Sequence, residues 1–188
     1  VDGRADEVKG TAVIPFSPEQ VWDVLERVDN WDQFMPHTPV SFSISEEGVE
    51  AIKQAGKSRS GPMTETAKNF EIRVDPESKR ETEMIYMVVD APFPMVNRWF
   101  VFRISFDESR AADHLYNLCW EMVASNAKTT RGCYRLSPGE RINETQVVYN
   151  QEVDLDTIAP RFGVKIWFNR NTRRSFEAIQ TRLAGKGG

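Results

Sequence analysis

Asn169 and Arg173 are the residues whose placement asks for chemistry. They fall at three- and four-residue steps with Phe162, Ile166, Phe176, Ile179 and Leu183, on what reads as one face of a helix. Charged and amide side chains are rarely buried without partners, so two readings stay open. They lie over a wet rim, or the helix covers a cavity and they meet a ligand there. Other reactive types are sparse. The two histidines, His37 and His114, each stand alone, without a cysteine or carboxylate at metal-ligand spacing, so no metal site is expected. There is no G-x-S-x-G, no G-x-G-x-x-G and no phosphate loop; Gly56 to Pro62 (GKSRSGP) lacks the Walker spacing and reads as a solvated loop. Glu81 and Glu83 alternate outward on their strand, and no acid/base pair stands out. No catalytic residue and no cofactor is expected.

Composition bounds the fold class. The 188 residues are 40% hydrophobic and 11% aromatic, with five Trp and eleven Phe, enough for one domain over residues 1–188 with a sizeable core. The net charge of −4 and pI near 5.4 do not favour nucleic acid as a partner. No apolar run approaches the ~20 residues of a membrane span. The chain opens on Val1, so the compartment stays open: cytoplasmic, or periplasmic if an N-terminal signal has been removed.

The elements that must position these residues read in order. Residues 6–15 alternate as a half-buried strand, with Val8, Gly10, Ala12 and Ile14 on one side. Ser17-Pro18-Glu19-Gln20 is a capping box with proline at the first helical position, and the helix runs to about Val28. A short second helix covers residues 29–36. The period then changes to two. Strands are expected at 40–44, 49–55, 64–75 (Phe70, Ile72 and Val74 inward) and 80–89 (Thr82, Met84, Tyr86 and Val88 inward). Further strands follow at 98–106 (Phe100, Phe102, Ile104, Phe106), 114–123 (Tyr116, Leu118, Trp120, Met122), 129–136 (Thr130, Gly132, Tyr134, Leu136) and 145–154 (Val147, Tyr149, Gln151, Val153). Their hairpin-length links imply an antiparallel meander. The long helix closes the chain from about Thr157 to Leu183, started by Pro160.

One long and two short helices cannot fill the concave face of so large a curled sheet. A cavity lined by Phe, Tyr, Trp and Met follows, with Gly10, Ala12 and Gly132 leaving room. Gly132 has two readings: a bulge or bend, or space reserved for a ligand between Trp120 and Tyr149. The aromatic stripe can equally be packed core. Cys119 and Cys133 come opposite each other if residues 125–127 form the hairpin turn, with a disulfide expected in an oxidising compartment.

The string AVIPFSPEQVWDVLERVDNWDQFMP resembles the opening of the helix-grip superfamily that holds START domains, Bet v 1 allergens and polyketide cyclase/dehydrases. DAPFPMVNRWFVFRISF is similar to the START segment in which a proline-rich loop leads through an arginine, here Arg98, into an aromatic strand. TRGCYRLSPGE, TQVVYNQEVDL and the terminal helix match the family's last hairpin and lid. The resemblance implies an α+β helix-grip fold, a curved antiparallel sheet wrapped around the long C-terminal helix. It also implies binding and transport of a lipid or other hydrophobic molecule by a monomer, with transient membrane contact. A polyketide cyclase/aromatase using the same cavity, or an interaction protein with a filled cavity, are the alternatives. The expected lining is Met84, Tyr86, Phe100, Phe102, Trp120, Met122, Gly132, Tyr134, Tyr149, Phe162, Ile166, Asn169 and Arg173. START domains often place a charge in the tunnel after the motif arginine. Here that parity is Phe100, Phe102, Ile104 and Phe106, while Arg103 faces out, so polar contacts must come from Asn169, Arg173, Tyr134, Tyr149 or Gln151. Arg98 itself is expected to lock its loop to backbone carbonyls or a carboxylate. The entrance is expected at residues 157–164 and in the loop 92–97.

Overall fold

Strand β1 (Asp6–Ile14) leads into α1 (Pro18–Leu25), a 3-10 helix (Val28–Gln33), β2 (Val40–Ser43), α2 (Glu46–Ala55) and α3 (Ser60–Lys68). Then come β3 (Thr82–Val89), β4 (Arg98–Arg110), β5 (Leu115–Ser125), β6 (Thr129–Pro138), β7 (Thr145–Asp154) and the long α4 (Arg161–Lys186). The seven strands form one antiparallel sheet in the order β1-β7-β6-β5-β4-β3-β2. This computed structural model describes residues 6–56, 59–75, 78–91, 97–154 and 161–186. The loop 92–96, residues 155–160 and the side chains of 161–165, Phe162 among them, lie outside that description, and with them most of the expected entrance.

The start of the chain folds as its local chemistry dictates. The Ser17 hydroxyl accepts from Gln20 N at 3.4 Å, the Gln20 side chain accepts from Ser17 N at 3.0 Å, and Pro18 opens α1. Val21, Trp22, Val24 and Leu25 bury their face of the helix. Gly10 serves α4. A Cβ there would stand 2.7 Å from Thr172 Cγ2 and 3.3 Å from Phe176, so the glycine lets the long helix lie directly on β1. The room expected beside Gly10 is thus occupied by α4.

The stretch after β2 departs from expectation. Residues 49–55 belong to a helix, α2, not a strand, and α3 replaces both the expected 56–62 loop from Ser60 onward and the first part of the 64–75 strand. Ser45 caps α2 by accepting from Gly48 N at 3.2 Å, and Glu46 and Glu47 lie in its first turn, where they favour the helix dipole. A Cβ on Gly48 would come within 2.5 Å of Phe70 Cβ, so this glycine marks close packing rather than a turn. Beyond α3 the chain touches the sheet edge through one bridge, Ile44 to Glu71, and Ile72 is exposed rather than inward.

These two helices create a second core. Val49 and Ile52 of α2 and Met63 and Ala67 of α3 pack on Phe42, Tyr86, Val88, Trp99 and Val101, on the sheet face away from α4. Met84 packs at its edge. The parity expected for β3 is therefore reversed: Ile85 and Met87 face the main core beneath α4, while Met84, Tyr86 and Val88 turn to α2 and α3. Tyr86 donates or accepts at 3.0 Å with Thr64, and burial pushes its phenol up to about 12. Glu83 shares the parity of Ile85 and is buried rather than outward, hydrogen-bonded by Ser43 and ion-paired with Arg80.

Cys119 lies opposite Cys133, Cα atoms 4.0 Å apart, and the two form a disulfide. Titration of the denatured, unreduced protein is expected to count no free thiol. Two would remove the bridge and leave the adjacency of the pair untested by this measurement.

Candidate functional site

Between α4 and the concave face of the sheet lies a cavity of about 110 Å³. That is several times the ~10–15 Å³ needed to seat the centre of one water. β3 and β4 supply Met87, Phe100, Phe102 and Ile104; β5 to β7 supply Trp120, Thr130, Tyr134, Tyr149 and Gln151; α4 supplies Trp167, Phe168, Asn171 and Ser175. Trp31, Met35 and Thr38, from the segment between α1 and β2, close one side.

Of the residues expected to line it, Phe100, Phe102, Trp120, Tyr134 and Tyr149 do. Met122 packs at the margin of the main core without reaching the cavity. Met84 and Tyr86 are on the opposite side of the sheet, for the reason of parity given above. Ile166, Asn169 and Arg173 are exposed, and Arg173 pairs with Glu177 at 3.6 Å. The buried face of α4 runs instead through Phe168, Thr172, Ser175, Phe176, Ile179 and Leu183. The seven-residue face expected from the sequence merges with it only at Phe176, Ile179 and Leu183. Gly132 does not open onto the cavity either. A Cβ there would sit 2.4 Å from Trp120 Cζ2 and 2.3 Å from the Asn150 carbonyl oxygen, so the indole lies where a side chain would be.

The polar groups are few and mostly committed. Tyr149 donates to Gln151 Oε1, and Gln151 Nε2 donates to Thr130 Oγ1 at 2.8 Å. Trp31 Nε1 donates to Leu25 O at 3.1 Å, and Thr38 Oγ1 to Pro36 O at 3.3 Å. Ser175 Oγ donates to Asn171 O at 3.1 Å. Burial pushes the Tyr134 phenol well up, against a hydrogen bond with Ser175. Burial and then the neighbouring Tyr134 do the same to Tyr149, against one with Thr172. Burial therefore favours the neutral form of both phenols. Arg98 borders the cavity, and its Nη1 donates to Asn126 O at 2.9 Å, tying the start of β4 to the β5–β6 turn through a backbone carbonyl. Trp99 N reinforces the tie by donating to Asn126 Oδ1 at 3.1 Å. Among the described residues no carboxylate, imidazole or thiol lines the cavity, and no three His, Cys, Asp or Glu side chains gather as a metal site.

Residues 14–179 match the family described as polyketide cyclase/dehydrase and lipid transport. The chain belongs to that family. No curated protein matches it in sequence. Among solved structures, a STAR-related lipid transfer protein fragment from Xanthomonas axonopodis superposes with a TM-score of 0.68 at 15% identity, covering 98% of this chain and 89% of that one. The Zhui aromatase/cyclase from Streptomyces sp. R1128 gives 0.63 at 12%, covering 97% and 96%. Human STARD10 gives 0.64 at 14%, covering 100% and 69%. At such identities these likenesses establish the shared fold of the polyketide cyclase/lipid transport family: a sheet gripping a C-terminal helix. No helix among the described residues is long and apolar enough to cross a membrane.

Proposed function

We propose that this chain binds a hydrophobic small molecule beneath α4 and carries it without transforming it. The observation that carries the reading is the character of the lining. It is aromatic and aliphatic, and among the described residues it offers no carboxylate, imidazole or thiol to move a proton. The family match and the lipid-transfer names of relatives with this fold support the same guest class. Native mass spectrometry of the purified protein, followed by solvent extraction and a panel of fatty acid, sterol and phospholipid, is expected to find a bound apolar molecule. A clean unliganded spectrum with no binding across the panel would overturn the reading.

A cyclase is the second reading, favoured by one feature. Tyr134, Tyr149 and Gln151 present neutral hydrogen-bonding groups on adjacent strands, a set suited to holding a folded polyketide chain in register. Turnover of a linear poly-β-ketone thioester into an aromatic product, absent from the protein-free control, would decide for it.

A further inference from the structure

Two polar atoms in the cavity wall have no partner. Trp167 Nε1 and Asn171 Oδ1 are both shut off from solvent and make no hydrogen bond. Both belong to cavity-lining residues, one helical turn apart on α4. Around them the polar side chains of Trp31, Thr38, Thr130, Tyr149, Gln151 and Ser175 all have partners within the protein. An indole N–H can only donate, and an amide oxygen can only accept. Side chains at i and i+4 have Cβ atoms about 5–6 Å apart. One oxygen bearing a proton can bridge such a donor and acceptor, each bond being about 2.7–3.0 Å long.

We infer that the ligand carries a neutral hydroxyl, alcoholic, phenolic or enolic, bonded at once to Trp167 Nε1 and Asn171 Oδ1. The inference rests on the cavity-binding reading and narrows it to a chemical class. A hydrocarbon end would leave both atoms unmade. An ether or ketone would satisfy Trp167 alone. A carboxylate has no proton for Asn171 Oδ1 and would bring a charge into an apolar chamber. Among the described residues Arg98 is the one charged residue of the lining, and its Nη1 donates to the Asn126 carbonyl.

The test uses four probes on one scaffold, 2-naphthol, 2-methoxynaphthalene, naphthalene and 2-naphthoate, titrated by calorimetry. 2-Naphthol is expected to bind tightest, methoxynaphthalene about three- to tenfold weaker, naphthalene weaker again by a similar factor, and naphthoate weakest. Asn171→Leu should erase the preference for naphthol over its methyl ether. Trp167→Phe should erase the preference for the ether over naphthalene. Asn171→Leu removes the acceptor at about the same side-chain size, Trp167→Phe removes the donor while keeping an aromatic ring, and melting curves verify that both fold. In the wild-type protein, the Trp167 indole N–H resonance should move downfield on adding 2-naphthol and stay in place with naphthalene. Equal affinity for the three neutral probes, or tightest binding of naphthoate, overturns the inference and leaves the cavity reading standing. Binding of none of the four overturns the inference; the cavity reading falls with it only if the lipid panel is empty too.

Discussion

Arg80→Met is expected to cost about 3–5 kcal/mol of folding stability at neutral pH, because it strands a buried carboxylate. Glu83 keeps only 4% of its side chain accessible and Arg80 12%, so water cannot replace the lost partner. Arg80 also donates to the Glu26 carbonyl at 3.4 Å and lies over the Phe106 ring, 5.2 Å from its centroid. One side chain thereby joins the end of α1, β3 and β4. The pH dependence has a definite sign. Burial pushes the Glu83 carboxyl up, while the Ser43 hydrogen bond and Arg80 pull it back. A carboxyl raised in the folded state stabilises where it is protonated, below the unfolded value of about 4.3, and loses that contribution as pH rises through the folded value. Without Arg80 the folded value climbs further. Urea melts should therefore show the largest deficit for Arg80→Met near pH 7.5 and a smaller one near pH 5. Adding Glu83→Leu to Arg80→Met should restore much of the loss. A deficit independent of pH, unrelieved in the double variant, would show that Arg80 acts through packing alone.

Gly132→Phe is expected to melt far below wild type with both proteins ligand-free, a loss of about 3 kcal/mol or more. The nearest obstacle to its first carbon is the Asn150 carbonyl oxygen at 2.3 Å, which is backbone and cannot swing aside. The next is the Trp120 indole at 2.4 Å, itself packed against both Tyr134 and Tyr149 with ring centroids 5.7 and 5.6 Å away. Gly132→Ala should already cost about 1–3 kcal/mol. From the sequence alone this position reads equally as ligand space, in which case a ring would enter freely. The structure makes it the seat of Trp120, so wild-type-like melting of Gly132→Phe would mean that the indole does not lie there. The presence of a cavity is no longer what this substitution tests.

The helix-grip architecture is legible in the chain because its signals are local: the Ser17-Pro18-Gln20 cap, hairpin-length turns and a long terminal amphipathic segment. Three things escape for identifiable reasons. β3 reads Thr82-Glu83-Met84-Ile85-Tyr86-Met87-Val88-Val89, apolar on both faces after Glu83, so alternation cannot say which face lies beneath α4. Gly48 after two glutamates imitates a turn, although Ser45 as cap with Val49 and Ile52 three apart is a helix signal. The phase of α4 is hidden because its inward side carries Asn171 and Ser175, which line the cavity, and Thr172, which is buried against Gly10. Hydrophobic periodicity follows Ile166 instead, which is half exposed. The polar residues on the inward face of α4 are therefore the ones that misdirect the search for the buried face.

The second core beneath α2 and α3 divides the sheet into halves with different freedom to change. β3 and the first half of β4 are enclosed on both faces, by Tyr86, Val88, Trp99 and Val101 on one side and Ile85, Met87, Phe100 and Phe102 on the other. β6 and β7 carry Arg131, Arg135, Asn150 and Glu152 outward, with Arg131 and Glu152 paired at 2.8 Å on the surface. Drift in sequence can rework that outer wall one residue at a time without disturbing the chamber. At β3 and β4 nearly every substitution strikes a packed interior, and the chamber wall they form is inherited as a block. Relatives should therefore vary first on the outward faces of β6 and β7, while the β3–β4 wall stays constant.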